Sequence, residues 1–270
     1  MQRKISFVKA DACGNDFLIL AEAAAERQHA ALAQRLCARH TGVGADGIEF
    51  LERREDGSLF LRLFNADGSE AELSGNGTRC VAAWLAASEG LREVSLGTHG
   101  GVRRCRVVRK EAGTWWIETG MGVPRVMRRT IRVDGVEGEI QGAMVNVGNP
   151  HFVLFPERED FGSHGLGWEA LGARISVDEQ FRFGTNVEFV RLKAPREIEF
   201  RIFERGCGPT MSSGTGTCAS ATAAIALWDA ARELTAVAPG GAQSVRWPEN
   251  GAEMMLTGPA EIVCTGEVWV

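Results

Sequence analysis

The sequence lacks the positive charge and the long apolar runs that mark nucleic-acid-binding and membrane proteins. Lys and Arg number 30 against 35 Asp and Glu, which leaves a formal net charge of −5 at pH 7. This balance predicts no nucleic-acid partner, because such partners require a basic surface. The longest small-apolar run, residues 219–228, is too short to span a bilayer. Residues 1–10 also lack the apolar stretch of a secretory signal. We therefore expect a cytoplasmic protein with no membrane partner.

Cysteine and histidine are present without the spacings that predict disulfide frameworks or metal sites. The seven cysteines form an odd set, and no CxxC pair occurs among them. In a chain of 270 residues this argues against a disulfide scaffold. The five histidines show no HxH or HExxH spacing, so no metal is expected. Hydrophobic residues at 44% and charged residues at 24% are typical of a globular protein with one large domain or two ordinary ones.

The chain repeats itself once, at long range. The segment GIEF at 47–50 resembles NVEF at 186–189, and the offset is 186 − 47 = 139. SGNG at 74–77 resembles SGTG at 213–216 with the same offset, 213 − 74 = 139. GND at 14–16 also resembles GNP at 148–150, at the slightly different offset of 148 − 14 = 134. A period this long indicates a duplicated domain rather than a solenoid.

Each repeat predicts the same order of strand, polar loop and buried helix. Residues 59–64 and 197–203 read as strands, and each leads into a Ser-Gly-x-Gly turn and then an alanine-rich helix, at 80–87 and 218–231. Both helices carry little charge, which predicts burial. Further helices are predicted at 23–39 and 168–174. We expect an α+β fold of two pseudo-symmetric domains, each a strand-rich half wrapped around a buried helix. The halves are predicted at 1–125 and 126–270, with the last strand, about 260–270, expected to join the first.

The two Ser-Gly-x-Gly turns are the strongest candidates for chemistry. Each precedes a helix N-terminus, where unpaired N–H groups and the helix dipole favour an anion. One such turn alone would be a capped helix start. Two at matching positions favour one ligand held by both halves: a carboxylate whose α-proton is removed, because the same donors stabilise the enediolate. Beside the turns, Arg205 suits a second carboxylate, and His151 lies two residues after Asn149.

These segments resemble the diaminopimelate epimerase family over nearly the whole chain. The matching motifs are FNADGSE at 64–70, GNGTRC at 75–80, GNPH at 148–151, NVEF at 186–189, ERG at 204–206 and GTG at 214–216. The resemblance implies an isomerase that works without metal, pyridoxal phosphate or any other cofactor. It would convert LL- to meso-diaminopimelate by two-base proton transfer at the α-carbon, in lysine and peptidoglycan-precursor synthesis, as a homodimer.

The resemblance also assigns roles to individual residues. It implies acid and base positions at Ser74 and Ser213, with His151 and Glu204 tuning them. It implies ligand contacts at Asn15, Asn65, Gly75, Asn76, Asn149, Asn186, Glu204, Arg205, Gly214 and Thr215.

Serine stands at positions 74 and 213, where the family has cysteine. A thiol has a pKa of about 8.5 that a helix N-terminus can lower, whereas a hydroxyl is a far weaker acid and needs an adjacent base. We therefore expect substrate binding to survive and proton transfer to stall. The serines fit either a double substitution made to trap substrate or a natural serine form. A non-catalytic amino-acid-binding paralogue and a racemase of another amino acid are the alternatives.

A dinucleotide-binding enzyme is a weaker alternative. GVGADG at 42–47 has the GxGxxG spacing, but it follows a predicted helix and precedes an apolar run, the reverse of the order that the fingerprint needs. GTGTCA at 214–219 opens a helix, but the preceding strand ends about Phe203, too far back for a tight strand-to-helix turn.

Overall fold

The structure, a computed structural model, describes residues 3–270. The chain divides into two compact units. The first comprises the chain up to Gly120 together with Thr257–Val270, and the second comprises Met121–Leu256.

The elements of the two units follow in chain order. Up to Gly120 they are β1 (Lys4–Ala12), β2 (Asn15–Ala21), α1 (His29–Cys37), β3 (Gly47–Arg53), β4 (Leu59–Asn65), β5 (Glu70–Ala71), α2 (Gly75–Glu89), β6 (Glu93–Gly97), β7 (Arg103–Glu111) and β8 (Thr114–Gly120). The later elements are β9 (Arg125–Ile131), β10 (Ile140–Asn146), β11 (Pro150–Leu154), α3 (Trp168–Ser176), β12 (Asn186–Ala194), β13 (Glu197–Glu204), β14 (Gly208–Thr210), α4 (Gly214–Leu227), β15 (Glu233–Ala238), β16 (Gly241–Arg246) and β17 (Met255–Trp269).

The strands of the first unit close on themselves around α2. Pairing runs from β1 to β2, β3, β4, β6, β7 and β8, with β2–β3 and β4–β6 parallel. Strand β17 pairs with both β8 and β1 and so completes the ring. Apolar side chains of the ring pack on α2 residues such as Val81 and Leu85, which are fully buried. Helix α1 packs on the opposite face of β3 and β4.

The second unit repeats this order of strands around α4. Pairing runs from β10 to β11, β12, β13, β15 and β16, again with two parallel steps, β11–β12 and β13–β15. The registers agree as well: Ile48 lies opposite Phe64, and Val187 lies opposite Phe203, with 139 residues between each pair of counterparts. This agreement confirms the predicted α+β fold and its internal duplication.

The two central helices are buried, as their low charge predicts. Helix α4 contains no charged residue, and 11 of its residues are buried. Helix α2 begins at Gly75, earlier than the alanine-rich stretch alone suggests. Intrinsic propensity disfavours its first residues, Gly75, Asn76 and Gly77, but the surrounding strands bury all three. Within residues 3–270, no helix combines the length and the apolar character needed to cross a membrane.

The helix predicted at 23–39 is wrong in its first half. Residues Glu22–Ala25 form a 3-10 turn, and α1 begins only at His29. Glu26 and Arg27 between them have φ of 46° and 65°, a left-handed conformation that interrupts a right-handed helix. The break lets the His29 ring stack on Phe64 with centroids 5.0 Å apart. A tertiary contact therefore overrides the local amphipathic pattern.

Candidate active site

Both serines of the repeated turns are N-caps of the buried helices. Ser74 Oγ accepts the N–H of Gly77 at 3.0 Å, and Ser213 Oγ accepts the N–H of Gly216 at 3.3 Å. A hydroxyl has one donor besides its acceptor capacity. Capping therefore uses the oxygen of each serine and leaves its proton available to a second partner.

In the second unit that partner is Glu204, at the end of β13. The Ser213 hydroxyl lies beside the Glu204 carboxyl and favours its ionised form, and the Thr210 hydroxyl donates to that carboxyl at 2.5 Å. Burial raises the pKa of Glu204, and the charge of Glu188 raises it further, while the neighbouring Thr210 and Ser213 hydroxyls lower it. Ser213 thus has the adjacent base that a serine needs to exchange protons.

His151 lies at the centre of a buried chain of polar groups. Its Nδ1 lies 2.6 Å from Glu188 Oε1 and its Nε2 lies 2.8 Å from Asn149 Oδ1. With the Asn149 amide in this orientation, its Nδ2 donates to Thr215 Oγ1 at 3.4 Å, and that hydroxyl lies 3.4 Å from Ser213 Oγ. His151 therefore donates through Nε2 and orients Asn149, and it reaches the serine only through two intervening side chains.

Asn186 and Arg205 are tied to each other and to the backbone. Asn186 Oδ1 accepts the backbone N–H of Arg205 at 2.9 Å, and its Nδ2 donates to Pro150 O at 3.3 Å. Arg205 Nη1 donates to Phe183 O at 2.8 Å. The exposed guanidinium is fixed by this one bond and has five N–H donors in all, so it can still bind a carboxylate in a bidentate manner.

The polar groups of the first unit form a chain that begins at a buried arginine. Arg79 Nη2 donates to Asn76 Oδ1 at 2.6 Å, Asn76 donates to Asn15 at 3.1 Å, and Asn15 donates to Asp46 at 2.8 Å. Arg79 is fully buried and has no carboxylate partner among residues 3–270. Its Nη1 lies 3.3 Å from Gly75 O, so its charge adds to the positive end of α2. An anion near this helix start would be stabilised by both.

The remaining predicted residues show where the two units differ. Asn65 ends β4, donates to Ser69 Oγ at 2.9 Å, and holds the place that Glu204 holds on β13. Gly75 begins α2, and Gly214 and Thr215 begin α4. The second unit, which contains Ser213, therefore has a carboxyl at the end of β13, whereas the first unit, which contains Ser74, has an amide at the end of β4.

The comparisons with known proteins agree with this duplicated arrangement. A family model described as diaminopimelate epimerase matches residues 7–127 and 143–263. The chain belongs to the diaminopimelate epimerase family. Curated diaminopimelate epimerases from Pelotomaculum thermopropionicum and Desulforudis audaxviator are 34% and 35% identical to it. They cover 97% and 98% of this chain, which covers 98% and 99% of them.

Solved structures show the same fold at greater distance. A Bacillus anthracis phenazine biosynthesis protein of the PhzF family superposes with a TM-score of 0.75 at 16% identity, covering 99% of this chain and 100% of that chain. Membership of the epimerase family makes the chain an isomerase. At the acid and base positions that the family resemblance implies, it carries Ser74 and Ser213.

Three buried charged residues of this chain were not predicted as site residues. Glu188 orients His151, Arg79 orients Asn76, and Glu49 lies under the first turn of α2. The signal was present for the glutamates, because GIEF and NVEF each place a carboxyl inside an apolar strand of the repeat. A buried carboxyl in such a strand requires a specific reason.

Proposed function

We propose that this chain epimerises LL-diaminopimelate to meso-diaminopimelate without a cofactor, with Ser74 and Ser213 as the acid and base on the two faces of one α-carbon. The reaction would serve lysine and peptidoglycan-precursor synthesis. We extend the proposal to a cytoplasmic homodimer, which is the state that the family resemblance implies.

The observation that carries this proposal is the placement of the Ser213 hydroxyl, at the start of α4, beside the Glu204 carboxyl. When Ser213 Oγ takes the α-proton, its own hydroxyl proton passes to Glu204. The electron pair of the broken C–H bond enters the substrate carboxylate as an enediolate. The unpaired N–H groups at a helix start stabilise that negative charge.

We further propose that turnover is slow in the serine form. A hydroxyl loses its proton far less readily than a thiol of pKa about 8.5, even with a base beside it. Substrate contacts do not depend on that acidity, so binding should be retained.

Calorimetry with LL- and meso-diaminopimelate tests the substrate, with lysine as the matched ligand that lacks the distal carboxylate. We expect both diaminopimelates to bind without added metal or cofactor. Arg205→Met should weaken diaminopimelate by roughly 2–5 kcal/mol and lysine much less, while Lys193→Met, at the exposed end of β12, should change neither. Absence of heat with diaminopimelate alongside clear binding of another amino acid would contradict the substrate. Equal losses for both ligands would contradict the role of Arg205.

A non-catalytic amino-acid-binding protein is the competing function, and the two serines favour it. The double substitution Ser74→Cys/Ser213→Cys distinguishes the two functions. An epimerase that carries it should exchange the α-proton of its ligand, whereas a binding protein should not.

A further inference from the structure

A carboxyl group lies in the core of each unit at the same position of the repeat. Glu49 on β3 and Glu188 on β12 are 139 residues apart and are 2% and 0% exposed. In the second unit this carboxyl pairs with His151 at 2.6 Å. In the first unit the position that corresponds to His151 is Phe17, since Phe17 pairs with Gly47 as His151 pairs with Asn186.

Glu49 therefore sits among apolar side chains. Its register neighbours are Ile19 on β2 and Leu63 on β4, and both belong to the core that packs on α2. Within residues 3–270 its carboxyl makes no hydrogen bond or ion pair, and desolvation is the sole cause of its pKa shift. An unpaired buried carboxyl costs several kcal/mol when ionised, so its retention calls for a function.

The carboxyl lies against the turn that Ser74 caps. A Cβ atom added to Gly77 would come within 1.9 Å of Glu49 Oε1. The N–H of the same Gly77 donates to Ser74 Oγ at 3.0 Å. Gly77 thus lies between Glu49 Oε1 and Ser74 Oγ. Only the absence of a side chain at Gly77 lets the carboxyl approach the start of α2.

Ser74 needs such a group, because the end of β4 does not supply one. The counterpart of Glu204 is Asn65, an amide that cannot accept and return a proton. Without Glu49, the two serines would differ in that only Ser213 has a base.

We propose that Glu49 is the positioning residue that exchanges protons with Ser74, directly or across one water. This inference rests on the proposed function. In one direction Ser74 Oγ takes the α-proton while its hydroxyl proton passes to Glu49, and the C–H electron pair stays on the substrate. In the other direction Ser74 gives its proton to the α-carbon, and the Glu49 carboxylic acid restores it.

The surroundings of Glu49 favour its neutral, protonated form. Burial raises the pKa of Glu49 from 4.5 to about 8. On α2, the Cys80 thiol interacts electrostatically with Glu49, and the same thiol also interacts with Arg79, Asp11 and Cys13. None of these groups contributes to the shift of Glu49, and its register neighbours on β2 and β4 are the apolar Ile19 and Leu63. Near neutral pH Glu49 holds its proton, which makes Ser74 the proton-donating side.

The direct test replaces the serine by a thiol and measures its reactivity, which needs no substrate. In Ser74→Cys, alkylation of the new thiol by iodoacetamide is followed at its own peptide by mass spectrometry between about pH 6 and 10. Because interacting groups titrate in two steps that belong to the pair, we expect a two-step profile with one step near pH 8. Adding Glu49→Gln should leave a single step. Ser213→Cys, with and without Glu49→Gln, is the matched control and should show no change.

Kinetics provide the second readout. In the Ser74→Cys/Ser213→Cys background, in which exchange is expected to be measurable, Glu49→Gln should lower the rate of α-proton exchange from diaminopimelate by about 10²-fold or more, as expected for loss of a general acid or base, with the KM changed little. Glu49→Asp should restore part of the rate. Should the glutamine variant fail to fold, Glu49→Met takes its place in both experiments, because it removes the titrating group and suits the apolar surroundings.

An alkylation profile at position 74 that is the same with Glu49, Gln or Met in a folded protein would overturn the inference. Failure of the proposed function looks different: diaminopimelate would neither bind nor exchange, while the alkylation profiles would still report on Glu49.

Discussion

The stability of this protein should depend on pH through one residue, Glu49. Its carboxyl has a pKa of about 8 in the folded chain against 4.5 unfolded. That difference of about 3.5 units corresponds to roughly 5 kcal/mol at 1.36 kcal/mol per unit. Glu49→Gln keeps the shape of the side chain and removes its titration.

The direction of the effect follows from which state holds the proton. Between about pH 4.5 and 8 the folded chain keeps a proton on Glu49 that the unfolded chain has lost. The contribution of Glu49 to stability therefore falls as pH rises through this window, and it levels off above it. Below pH 4.5 both states are protonated and no such loss exists.

Urea unfolding of the parent and Glu49→Gln across this range measures the effect. We expect the two proteins to be similar near pH 4.5 and the variant to gain up to about 5 kcal/mol over the parent by pH 8–9. Glu55→Gln, in the exposed β3–β4 turn, controls for the loss of one negative charge and should give a flat difference. A pH-independent difference between parent and Glu49→Gln would refute the burial of an unpaired carboxyl at this position.

Three further substitutions test the surroundings of the two core carboxyls, all by urea unfolding. Gly77→Ala should destabilise the chain by about 1–3 kcal/mol, because the new methyl group would overlap Glu49 Oε1; a small gain from helix propensity instead would place the carboxyl elsewhere. His151→Phe should cost about 3–5 kcal/mol above the pKa of Glu188, since it leaves that carboxylate buried without a partner, and a loss that is independent of pH would contradict this. Ser74→Ala should cost about 0.5–2 kcal/mol through the lost N-cap, and no loss would contradict the capping hydrogen bond.

The duplication and the α+β fold could be predicted because short segments of the sequence show them directly. A 139-residue offset, an apolar strand and a Ser-Gly-x-Gly turn are all visible without tertiary information. The start of α1 could not be predicted in the same way. The stretch 23–39 is amphipathic throughout, and only the packing of His29 on Phe50 and Phe64 explains why the helix begins where it does.

In the candidate site, too, some features could be predicted from local sequence and others depend on tertiary packing. Ser74, Ser213 and Glu204 stand in motifs whose residue types suggest proton transfer. The GIEF segment marks Glu49 as a carboxyl inside an apolar strand. The roles of Glu49 and Arg79, however, depend on which side chains surround them and on the absence of an ion-pair partner within residues 3–270, and the sequence alone shows neither of these. For Glu49 the decisive fact is the register that places Phe17 where the second unit has His151.

The claim that Ser74 and Ser213 hold the acid and base positions is tested most directly by α-proton exchange. LL-diaminopimelate is incubated in deuterated water with the parent, Ser74→Cys, Ser213→Cys and the double variant, and loss of the α-proton signal is followed by NMR. We predict slow or negligible exchange with the parent, little with either single variant, and exchange by the double variant that exceeds the sum of the singles, because residues that act as a unit are not additive. Full activity with both serines in place, or no exchange by a folded double variant that binds the ligand, would contradict the assignment.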